Sequence, residues 1–176
     1  MDNLMEEHFF QGRAVATCSA LSQQARSTAI KLHQVLSTGS VKDDGLLKQL
    51  GLLSARLPLF RQHADQLGHC IADTPVVLDD LGSVLISSLA ECQNAFGTIA
   101  DRLEPGSGGL TSEAIACYES LLNANARLFV FLTQLLVMEI EEEQRSKLSS
   151  HEARTIVDAA HNASLAVISF EYATEN

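Results

Sequence analysis

Apolar residues recur along this chain at alternating steps of four and three. The longest run is Leu46, Leu50, Leu53, Leu57, Phe60, Ala64, Leu67 and Ile71. That spacing places every one of them on one stripe of an α-helix, and so long a stripe must be buried against other helices. Other stretches repeat the pattern. Cys18, Leu21, Ala25, Thr28, Leu32 and Val35 predict a first helix that begins at Asp2 or Arg13 and ends at Leu36. Leu78, Leu81, Leu85, Leu89 (or Ser88), Cys92, Phe96, Ile99 and Leu103 predict a third. Ile115, Tyr118, Leu122, Asn125, Phe129, Leu132 and Leu136 predict a fourth, and Ile156, Ala160, Ala163, Val167 and Phe170 a fifth. The fold class is therefore all-α, an antiparallel bundle of four to five long helices.

Helix boundaries follow from local chemistry. Gly39 is placed to stop the first helix, and Asp43 and Asp44 suit the N-terminus of a second over Lys42 to Ile71. Pro58 lies inside that second helix, where a proline removes one backbone bond and costs about 3 kcal/mol. The heptad keeps its phase across Pro58, which predicts a kink there; a break near Ala55 or Arg56 is the alternative. Thr74-Pro75 opens the third helix, and Thr111 or Ser112 the fourth. Pro105-Gly106-Ser107-Gly108-Gly109 reads as a flexible hinge over 105–109. Glu139 and Glu141 to Glu143 would sit badly at a helix C-terminus, so the fourth helix is expected to continue through Lys147. Ser149 with Glu152 forms a capping box for the fifth. The chain reads as one domain over 1–176, with ends that fray over 1–12 and 171–176.

From Leu128 to Ile140 the fourth helix is apolar on most sides. Such a helix either lies in the middle of a bundle or offers a second apolar surface. In the second case Val130, Phe131 and Val137 form the candidate partner-binding face.

Charge narrows the partners. The formal net charge is −10, and the 12 Lys and Arg residues are scattered from Arg13 to Arg154. Such a chain repels a phosphate backbone and offers no polybasic segment to a membrane. Met1 to Phe10 is acidic and has no apolar signal region. The longest apolar block, Leu128 to Met138, is well short of the about 20 residues that a membrane span needs. A cytoplasmic protein is expected, with the nucleus left open.

No catalytic pattern emerges. Cys18, Cys70, Cys92 and Cys117 form no CxxC pair and read as buried thiols. His63, His69 and Cys70 are spaced by six and one, which does not bring them to one helical face. His69 and Cys70 diverge by about 100° on a helix, which spoils a nucleophile–base pair. The run Gly106 to Gly109 lacks the Lys-Ser/Thr that follows a phosphate loop. Asn125 falls on the apolar stripe of the fourth helix, where a buried amide fixes register. No metal, cofactor or enzymatic activity is expected.

Two blocks carry a family resemblance. One runs from Leu46-Leu47-Lys48-Gln49-Leu50 through Leu103. The other runs from Tyr118-Glu119-Ser120-Leu121-Leu122 through Arg127-Leu128-Phe129-Val130-Phe131-Leu132-Thr133-Gln134-Leu135-Leu136. Together they resemble the helical N-terminal domain of fungal STAND-type NTPases, also named after the azaphilone pigment cluster protein that carries it. The resemblance implies a non-enzymatic protein-interaction or signal-input module that binds a protein partner or itself. The alternative is an accessory protein of a fungal secondary-metabolite gene cluster that binds an apolar small molecule between its helices.

Overall fold

The computed structural model describes residues 2–74 and 82–175, with side chains described from Phe9 onward. Among these residues it is all helical, with α1 (Asp2–Thr38), α2 (Asp44–Asp73), α3 (Gly82–Arg102), α4 (Ser112–Leu136), α5 (Glu141–Leu148) and α6 (His151–Glu175). None of these helices is long and apolar enough to cross a membrane.

The heptads account for the core. Cys18, Leu21, Ala25, Thr28 and Leu32 of α1 are buried, and so are Leu50, Leu53, Leu57, Phe60, Ala64, Leu67 and Ile71 of α2. These two stripes face each other in the most extensive helix pair of the fold. The approach is closest at Gly68, where an added Cβ would lie 3.0 Å from Cys18 Cβ. Near the far ends, Gln11 Nε2 donates to Ile71 O at 2.6 Å and to Thr74 O at 3.1 Å. It thereby satisfies carbonyls that the end of a helix leaves unpaired. The start of α1 therefore meets the end of α2, and the pair runs antiparallel.

A second layer closes over this pair. Phe60 of α2 meets Phe96 of α3 edge-on at 5.4 Å between ring centroids and Phe129 of α4 at 5.6 Å. Three helices thus share one aromatic cluster, an arrangement worth about 0.5–1.5 kcal/mol per ring pair beyond simple burial. Helix α4 packs mainly on α2 and α6, while α3 packs mainly on α1. Tyr118 is fully buried, and its hydroxyl donates to Glu171 Oε1 at 3.0 Å. That bond joins the start of α4 to the end of α6.

Several boundaries are as the local chemistry predicts. Asp43 Oδ1 accepts from Leu46 N–H at 3.0 Å, and Thr111 Oγ1 accepts from Ala114 N–H at 3.1 Å. Gly39 takes a positive φ of 63°, the left-handed geometry that ends helices without a Cβ penalty. Pro58 lies inside an unbroken α2. The predicted opening of α3 at Pro75, with Leu78 and Leu81, lies outside the described residues; Thr74 itself donates its N–H to Cys70 O.

Other expectations are corrected. The fourth helix does not continue through Lys147 but ends at Leu136. Gln144 Nε2 folds back and donates to Leu135 O at 3.1 Å and Met138 O at 2.8 Å, which satisfies the freed carbonyls. Glu141 to Glu143 then occupy the first turn of a new helix, and Arg145 and Lys147 the last. Both charge sets complement the helix dipole, an arrangement the acids could not reach inside a continuous helix. The cap of α6 is Ser150, not Ser149: Ser150 Oγ accepts from Ala153 N–H at 3.1 Å, whereas Ser149 Oγ donates back to Arg145 O. Helices α1 and α6 include 2–12 and 171–175, and Gln11 and Glu171 there each bond to another helix.

Candidate interaction surface and end cleft

The segment Leu128 to Leu136 turns most of its apolar side chains inward. Leu128, Phe129, Leu132, Leu135 and Leu136 are buried. Of the predicted partner face, Phe131 is only 2% exposed and Val137 is 65% exposed. Val130 is half-buried. Phe131 is core, with Lys147 Nζ 5.9 Å from its ring centroid. Helix α4 is apolar on most sides because it packs against α2, α3, α5 and α6. Only the helix end, at Val137 and Ile140, leaves large apolar side chains exposed here.

A different helix presents the more continuous apolar surface. Leu165, Ile168 and Tyr172 of α6 are 48%, 57% and 73% exposed. Their steps of three and four place them on consecutive turns of one face. The buried row of the same helix, Ile156, Ala160, Ala163 and Val167, lies on another side. Helix α6 therefore carries apolar residues on two faces, one of them buried in the bundle and the other partly exposed. The sequence shows both rows, but attention to the core row hides the second.

A smaller groove lies between α2 and α4. Leu57, Leu59, Phe60, Leu122 and Ala126 line a cavity of about 260 Å³. Arg56 Nε and Glu119 Oε1 pair across it at 2.9 Å. Both side chains are partly exposed, so the pair contributes less than about 1 kcal/mol.

Two of the thiols are buried and held protonated. All four cysteines are free. Cys18 and Cys92 are completely buried. Burial, with a contribution from the Asp65 carboxylate, pushes the Cys18 thiol up to about 12. Burial pushes Cys92 up further, with Glu91 adding to it. A thiol held protonated is a poor nucleophile. Among the described residues no cluster of three or more His, Cys, Asp or Glu could hold a metal ion. Asn125 is fully buried; its Nδ2 donates to Leu121 O at 2.9 Å, and its Oδ1 has no hydrogen-bond partner among the described residues. The bond stays within α4, so a register role between helices finds no partner.

A further concavity lies at the end of the bundle where the α1–α2 and α3–α4 connections meet. It measures about 790 Å³, within the roughly 300–1,000 Å³ of small-molecule sites. Val35, Leu46, Leu50, Leu103 and Leu110 form its apolar wall. The glycine-rich connection also lines it, and there Gly106, Gly108 and Gly109 adopt positive φ of 87°, 84° and 77°. Lys31 of α1 pairs with Glu104 beside it. The sequence stripes predict Val35, Leu46, Leu50 and Leu103 as ordinary core; the cleft lies where those rows reach the two connections. Comparison with family models, with curated proteins and with solved structures finds no match for this chain.

Proposed function

We propose that this chain is a non-enzymatic helical interaction module, and that the outward face of α6 is its contact surface. The observation that carries this reading is the pair Leu165 and Ile168, exposed on successive turns of a helix packed through its buried row Ile156, Ala160, Ala163 and Val167. An apolar helical row of this kind is how an amphipathic helix engages a groove or a second helix. The protonated buried thiols support a non-catalytic role. So does the resemblance to fungal STAND-type N-terminal domains, which makes the module a signal-input element in a cytoplasmic protein. In the same reading the long helices form one antiparallel bundle with α2 bent near Pro58, whose ring has no N–H to return to the preceding turn.

The test is a paired substitution, Leu165→Asp with Ile168→Asp. The variant should keep the helical circular dichroism signal and lose self-association or capture of a protein partner. Unchanged association would remove α6 from the interface, and loss of helicity would make the row part of the core.

The end cleft favours a second reading, an accessory protein that binds a small molecule of largely apolar character. Native mass spectrometry showing a co-purified ligand supports it, and a ligand-free protein counts against it.

A further inference from the structure

The cleft between the α1–α2 and α3–α4 connections carries more cationic than acidic side chains, against the acidic balance of the chain. Lys31, Lys42 and Arg102 line it from three separate segments, against Asp43 and Glu104. Both acids are engaged: Asp43 accepts from Leu46 N–H to cap α2, and Glu104 pairs with Lys31. Lys42 and Arg102 form no ion pair among the described residues. Three cations less two carboxylates leave the lining at +1, on a chain whose formal net charge is −10. A cationic lining on an acidic protein gives an anion a favourable end-point, and the low-dielectric apolar wall strengthens that attraction. Gly106, Gly108 and Gly109 in the lining present backbone in place of side chains.

We propose that this cleft binds a small amphipathic monocarboxylic acid. Its apolar body lies against Val35, Leu46 and Leu50, and its carboxylate is held by Lys42 and Arg102. The inference rests on the small-molecule reading above and adds the charge of the ligand to it.

Amide-resolved NMR of the intact chain, titrated with decanoate and separately with decanol, tests it. Decanoate should saturably shift amides at 41–50 and 104–110 and bind at least about tenfold tighter than decanol, since a charge-assisted contact is available only to the acid. Lys42→Glu with Arg102→Gln should abolish that preference and leave decanol affinity unchanged. If the Arg102 change unfolds the chain, Lys42→Glu alone, at an exposed loop position, must still reduce the preference. Equal binding of acid and alcohol at these amides would overturn the anion inference and leave the small-molecule reading standing. Shifts confined to other residues, or no saturable shift with either compound, would overturn both.

Discussion

Between α1 and α2 the helices approach so closely that a methyl group added at Gly68 would lie 3.0 Å from Cys18 Cβ. Where the same two helices are joined, the chain leaves a cleft of about 790 Å³. The seam is built from side chains at heptad spacing on both partners. The joint is built from Thr38, Gly39 and Ser40 and faces a glycine-rich connection. Close packing runs along the rods, and concave surface gathers where they are joined.

The largest effect should come from the aromatic cluster that ties the seam to the second layer. Phe60→Ala removes a buried ring that touches both Phe96 and Phe129. It should cost about 3–5 kcal/mol in denaturant unfolding. A loss under about 1 kcal/mol would mean that the cluster does not hold the layers together.

Alkaline pH probes the same seam. In the folded chain the Cys18 thiol keeps its proton from its ordinary 9.0 up to about 12, while the unfolded chain releases it. The folded state then binds more protons, so stability is fully present below pH 9 and falls as pH rises toward 12. The loss should reach the order of a few kcal/mol and be smaller in Cys18→Ala. A midpoint that stays flat to pH 12 in the wild type would place the thiol in water.

Two glycines of α2 sharpen the contrast further. Gly68→Ala should destabilise by about 1–3 kcal/mol, because the new methyl meets another helix. Gly51→Ala meets nothing within 4 Å and should stabilise by about 0.5–1 kcal/mol through helix propensity. Thermal melts of the two variants with the same sign of change would remove the distinction between seam and surface.

The smallest effect on folding belongs to the α6 row. Leu165→Asp and Ile168→Asp should each change stability by no more than about 0.5 kcal/mol, as exposed positions do. A large loss in either would show that this face is covered within the chain.

Much of the seam was legible because burial follows the 3.6-residue period directly. Leu50 to Ile71 and Cys18 to Leu32 stand in the core as the spacing predicts. The break after Leu136 was not legible, because it depends on Gln144 reaching back to Leu135 and Met138, a contact that no periodicity encodes. The bonds of Gln11 and Glu171, to residues 60 and 53 positions away, were not legible for the same reason. The predicted face mixed Phe131, which points inward, with Val137, which lies beyond the helix, because a helix apolar on most sides gives no phase from which to tell its faces apart. The row on α6 was readable as a second period in the sequence, but exposure depends on which neighbours are present. The cleft is a property of two connections and left no mark in the pattern of either.

The most direct test is quantitative affinity capture with the intact chain and the Leu165→Asp/Ile168→Asp variant, at matched helicity, from the cells that produce it. An interaction module with α6 as its contact surface should retain a stoichiometric protein partner, or a second copy of itself, and lose it in the variant. Equal retention by both proteins, or no retained protein with the wild type, would contradict it.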